Sequence, residues 1–151
     1  MGLTHRRAGK LLSVVKDIYV PPGGPPQKPL NRELYNILGE DLIRRMLDVH
    51  YRNLDKSEAA PLFAGIDMKV SAQKSADFFI QIMGGPYLYS QKNGPPRMRA
   101  RHVPFAITPK ARDVWLDCFR RALDEVEFPA EHRPEFEEFL DSFSAWMVNT
   151  R

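Results

Sequence analysis

From Asn31 to the carboxyl end, apolar residues recur at helical spacing, and no stretch alternates apolar with polar residues for long enough to make a strand. A chain with that periodicity can bury its apolar faces only by packing helix on helix, so the expected fold class is all-α. Glu40 to Asp55 repeats Ile43, Leu47, His50 and Leu54 on one face, with Met46 and Tyr51 flanking. Val70 to Met83 reads as a second helix, ended by Gly84, Gly85 and Pro86. Thr108 followed by Pro109 supplies a cap and a first-turn proline for a third helix. Its inward stripe is Ala111, Val114, Trp115, Cys118, Phe119, Ala122 and Val126. A last helix carries Phe136, Phe139, Leu140, Phe143 and Met147.

The run Pro21 to Pro29, five of whose nine residues are proline and two glycine, with Gln27 and Lys28 between Pro26 and Pro29, interrupts this pattern as linker or loop. Upstream, Ala8 to Tyr19 spaces Leu11, Leu12, Val15 and Ile18 as a short amphipathic helix outside the main fold. The chain therefore divides into an extension over 1–30 and one domain over 31–151. At 151 residues a domain buries roughly 70% of its unfolded surface and needs no cross-link. The single Cys118 agrees, because one thiol builds neither a disulfide framework, a zinc site nor a CxxCH haem attachment.

The longest apolar run, Leu11 to Val15 broken by Ser13, falls far short of the roughly 20 residues that cross a bilayer. His5, Arg6, Arg7 and Lys10 precede it, but no long apolar region or cleavage site follows. The expectation is a chain that starts near Met1, carries no secretory signal and works in the cytoplasm. A net charge of +3 is too small to identify nucleic acid as a partner.

Between the second and third long helices lies Gly84 to Ile107, with six glycines and prolines before Arg97. Loops of this length in a compact helical domain commonly carry function. His102 stands where a short helical turn must stop, before Val103, Pro104 and Phe105. That context suits an axial ligand of haem iron, although local sequence alone favours a partly buried histidine bonded to a carbonyl. Arg97, Arg99 and Arg101 alternate ahead of it, with Lys92 earlier. Carboxylates or phosphates, haem propionates among them, are natural partners; a solvated basic loop and a nucleic-acid patch interleaved with Tyr87 and Tyr89 are the other two readings.

Tyr51 and Trp115 place two hydrogen-bond donors on inward faces. They suit polarising a dioxygen ligand or satisfying backbone carbonyls. Ser71 and Ser75 put small polar groups on a face otherwise formed by Phe78, Phe79 and Ile82, leaving room for a ligand or bonding back to the preceding turn. Phe63 reads as a core aromatic.

As an ordered set these residues resemble the truncated haemoglobins, globins shortened to a two-over-two helical sandwich, and most of all their second group. The resemblance is carried by Gly84-Gly85-Pro86-Tyr87-Leu88-Tyr89, by Pro95-Pro96-Arg97-Met98-Arg99-Ala100-Arg101-His102-Val103-Pro104-Phe105, and by Arg112-Asp113-Val114-Trp115-Leu116-Asp117-Cys118. It extends over about Asn31 to Asn149. It implies that His102 is the proximal iron ligand and that Tyr51 and Trp115 are the distal donors. Phe63 and Phe105 would meet the haem, Ser71 and Ser75 would line the distal pocket near Phe78 and Phe79, and Tyr89, Lys92, Arg99 and Arg101 would contact the propionates. The chain departs from the family's common pattern at His50, where phenylalanine often stands. That leaves coordination by His50 or Tyr51 open. Ser71 and Ser75 also replace small or apolar residues.

The implied cofactor is haem b, bound without covalent attachment. The implied function is reversible binding and transport of dioxygen or another small diatomic ligand. The alternative is a haem redox enzyme, peroxidase-like or a nitric oxide dioxygenase, fed by an external reductase because the chain has no flavin or nicotinamide domain. A basic helical interaction module without haem is the remaining reading. A membrane or nucleic-acid partner is not expected, and a homo-oligomer is compatible with the sequence.

Overall fold

The computed structural model describes residues 18–151, so the helix expected over Ala8 to Tyr19 lies almost wholly outside the described residues. Among the described residues there are seven α-helices and no strand. They are α1 (Leu34–Leu38), α2 (Glu40–Asp55), α3 (Met68–Ile82), α4 (Leu88–Asn93), α5 (Met98–His102), α6 (Pro109–Glu125) and α7 (Arg133–Met147), with a 3-10 turn at Ala60–Phe63 between α2 and α3. None is long and apolar enough to cross a membrane.

Local chemistry accounts for the helix ends. The Thr108 side chain accepts from the Ala111 amide at 3.1 Å, and Pro109 opens α6 where its missing N–H costs nothing. Asp67 caps α3 by accepting from the Lys69 and Val70 amides at 3.0 and 3.2 Å, so this helix starts at Met68, ahead of the Val70 that periodicity alone suggests. Gly84 follows α3 with φ +96°, and a Cβ there would lie 1.8 Å from the Arg32 carbonyl oxygen. Only glycine lets the chain pass so close to that backbone.

Helix α2 is the centre of the sandwich. It packs on α3 along one side and on α6 along another, and α6 in turn packs on α7. The shared core contains Leu34, Ile43, Met46, Leu47, Phe79, Phe119, Leu123 and Phe136, all at most 1% exposed. Four aromatic rings tie the layers together: Phe79 meets Phe119 and Phe136 with centroids at 5.6 and 5.9 Å, and Phe136 stacks on Phe128 at 5.0 Å. The Gly84–Ile107 segment holds the two short helices α4 and α5. From Pro21 to Pro29 the chain makes turns and bends only.

Candidate functional site

The layers do not close everywhere. Between α2, the 3-10 turn, α3, α5, α6 and α7 lies a cavity of about 570 Å³. Its wall is largely apolar: Leu54, Leu62, Phe63, Ile66, Phe78, Phe79, Met98, Phe105, Ile107, Phe143 and Met147. Tyr51, Ser71, Ser75, Tyr89, His102 and Trp115 supply most of the polar groups, and Lys74, Arg101 and Arg112 supply charge. A mostly apolar hollow with few convergent polar groups is the form a large, flat organic cofactor needs, and its volume falls within the roughly 300–1,000 Å³ of ligand pockets.

His102 closes α5 and faces this cavity. Its Nδ1 lies 2.5 Å from the Met98 carbonyl oxygen one turn earlier. A carbonyl only accepts, so Nδ1 carries the proton and Nε2 keeps its lone pair. Burial pushes the imidazole pKa down, against the opposing pull of that carbonyl, so the ring is held neutral. A carbonyl-oriented neutral imidazole is how proteins present histidine to a metal. The carbonyl bond that one sequence reading expects is present, and it leaves Nε2 free.

Tyr51 lies beside Ser75. Burial pushes its phenol above the usual range while the Ser75 hydroxyl pulls the other way. Tyr51 packs edge-on to Phe63 at 6.1 Å, and Trp115 lies 6.5 Å from Phe143. Phe78 spans from Tyr89 at 5.9 Å to Phe143 at 5.7 Å.

His50 is not on the cavity wall. It is 1% exposed behind the two donors, edge-on to Trp115 at 5.1 Å and Tyr51 at 5.6 Å, and lies over Phe119 at 4.2 Å. Neither ring nitrogen has a hydrogen-bond partner within the described residues. Burial drives its pKa down to about 3, and the nearby Cys118 carbonyl, already accepting from the Asn53 amide at 3.0 Å, offsets little of this.

The basic residues expected at the propionates separate. Arg101 lies on the cavity wall with its guanidinium 5.4 Å from the Tyr89 ring centroid, while Nε and Nη2 donate to the carbonyls of Pro96, Asn93 and Pro95. Lys92 and Arg99 are not on the wall. Lys92 Nζ pairs with the buried Asp77 carboxylate at 2.9 Å, which Arg44 also binds at 2.9 Å. Arg99 turns inward to carbonyls of Tyr19, Trp146 and Val148. Arg97 is exposed with φ 39°, so the three arginines do not form one basic patch. Lys74 and Arg112 were not among the expected site residues. Lys74 stands three residues after Ser71 on the same face, which was a usable signal; Arg112 reaches Ser144 Oγ and Asp141 from α6.

A two-layered helical sandwich enclosing an apolar cavity, with one neutral imidazole on its wall, defines a globin of the truncated, two-over-two class. The family pattern described as bacterial-like globin matches residues 33–149, and the chain belongs to that family. It is 35% identical over 116 residues to the Group 2 truncated hemoglobin YjbI of Bacillus subtilis (strain 168), covering 76% of this chain and 87% of that one. Among solved structures it is similar to phosphate-bound Hell's gate globin IV, with 39% identity, a TM-score of 0.79 and coverage of 84% and 81% of the two chains. It is also similar to the truncated oxygen-avid haemoglobin from Bacillus subtilis, with 35% identity, a TM-score of 0.73 and coverage of 76% and 98%. Family membership implies haem as the cofactor, and the cavity and its free imidazole nitrogen fit that group.

Proposed function

We propose that the chain binds haem b noncovalently through His102 and reversibly takes up dioxygen or another small diatomic ligand. The observation that carries this is the His102 ring, neutral and oriented by the Met98 carbonyl on the wall of an apolar cavity of about 570 Å³. Haem supplies the iron at which such a ligand binds. The chain's own residues do the rest. His102 holds the metal through Nε2. The apolar wall keeps bulk water out. Tyr51 and Trp115, both on the wall, donate hydrogen bonds to the bound ligand, and each such bond slows its escape. Arg101 and Lys74 stand as donors to the propionates, since Nη1 of Arg101 takes no partner among the described residues. The likeness to an oxygen-avid haemoglobin supports dioxygen as the first ligand to test.

Absorption spectra in the ferric, ferrous and carbon monoxide forms, beside His102→Ala, test this. The expected result is a Soret band that moves with carbon monoxide and is weakened or altered in the variant. No Soret band after haem addition, or an identical one in His102→Ala, would overturn it.

A further inference from the structure

Helix α5, which bears His102, spans only Met98–His102, too short to hold itself in place. Its position comes from outside. At its start Arg99 Nη1 donates to the carbonyls of Trp146 and of Val148, the latter at 3.0 Å, and the guanidinium lies 4.5 Å from the Trp146 ring centroid. Just past its end the Asn149 amide donates to the His102 carbonyl at 3.2 Å and the Phe105 carbonyl at 2.9 Å, while its Oδ1 accepts from the Ile107 N–H at 2.9 Å. Asn149 is 4% exposed. Tyr19 joins the two holds: its N–H donates to the Asn149 carbonyl at 2.8 Å, and its own carbonyl accepts from Arg99 Nη2 at 2.8 Å.

We infer that Arg99 and Asn149 are positioning residues for the His102 imidazole, and that Tyr19 couples the segment before the globin domain to that imidazole through them. The inference rests on haem ligation by His102 as proposed above. The physical chain is short. The His102 ring is bonded to Met98 within α5, so it moves as α5 moves. Both ends of α5 hang on carbonyl and amide groups of residues 146–149, and the extension closes the same network at Tyr19. A shift at Tyr19 therefore reaches the His102 ring through two hydrogen-bonded residues, Arg99 and Asn149.

The test uses haem-loaded full-length protein. Asn149→Asp keeps size and the Oδ1 acceptor but puts a carboxylate oxygen against two carbonyls. Tyr19→Pro deletes the extension's N–H, keeps the carbonyl that Arg99 Nη2 reaches, and alters no residue of α5 itself. The readouts are the iron–histidine stretching band in the ferrous unliganded form, the rate of haem transfer to an acceptor globin, and amide exchange across residues 98–102. Asn149→Asp is expected to shift or broaden the band and speed transfer by about five- to thirtyfold, the factor for one to two lost hydrogen bonds, since the amide donates to both His102 and Phe105; Tyr19→Pro moves both in the same direction. A wild-type band and transfer rate in Tyr19→Pro overturns the coupling, and the same in Asn149→Asp overturns the positioning role, even where melting temperature falls. Where Asn149→Asp does not fold, Arg99→Lys and Tyr19→Pro decide the same question. A wild-type protein with no iron–histidine band removes haem ligation and this inference together, whereas a normal band that no variant moves overturns this inference alone.

Discussion

His50→Phe isolates the energetic consequence of burying an imidazole without a partner. The His50 pKa is depressed to about 3 by burial, against about 6.5 in an unfolded chain. Below pH 6.5 the unfolded chain therefore takes up a proton that the folded chain refuses. The unfolded state binds more protons, so stability rises with pH; His50's contribution is complete above pH 6.5 and is lost as pH falls toward 3. Between pH 7 and pH 5 the loss from this residue is about 2 kcal/mol, from the linkage relation and those two pKa values. His50→Phe removes that dependence. It also removes two buried nitrogens that have no partner, so at pH 7 the variant is expected to match the wild type or exceed it by up to about 2 kcal/mol. The assay is urea unfolding of both haem-loaded proteins at pH 5 and pH 7. His102, also depressed by burial, is common to both and cancels in the difference. If the two stability curves run parallel between those pH values, the imidazole is not carrying the burial cost assigned to it.

Tyr51→Phe and Trp115→Phe should each raise dioxygen dissociation several-fold to about tenfold in stopped-flow release, because each deletes one buried donor. Lys92→Ala should leave haem transfer unchanged and lower stability by at most about 1 kcal/mol, since Asp77 keeps Arg44 and Lys92 is 62% exposed; Lys74→Ala should instead speed transfer. Faster haem loss from the Lys92 variant with none from the Lys74 variant would reverse that assignment. Gly84→Ala should cost about 2–3 kcal/mol or more, seen as a melting temperature lowered by about 5–10 °C, because its Cβ would strike the Arg32 carbonyl at a φ of +96°.

Properties decided within a few turns of helix were legible in the sequence. The 3.6-residue period placed Ile43, Leu47, His50 and Leu54 on a buried face, and the Thr108-Pro109 pair started α6 where it begins. His102 was legible for the same reason, because the proline that follows stops α5 and leaves its last residue at the edge of the hollow. Partners that come from distant parts of the chain were not. Arg99 reads as a free cation in its own segment, but its acceptors are the carbonyls of Trp146, Val148 and Tyr19, 47, 49 and 80 residues away. Lys92 was likewise taken by Asp77, whose carboxylate lies on α3 among apolar neighbours and needs two cations to be buried.

His50 marks where helical geometry divides two neighbouring residues. One residue along a helix turns the side chain by about 100°. With Tyr51 directed at the cavity, that rotation sends His50 to the contact between α2 and α6, against Phe119 and Trp115. There it cannot reach the His102 side of the hollow without displacing the rings that enclose it. Its presence beside Tyr51 and Trp115 therefore acts on them through packing: edge-on contacts to both fix the two rings relative to each other. A polar residue on a buried helical face is thus explained by what it touches across the layer, and the same rotation that hides it from the cavity is what delivers Tyr51 to it.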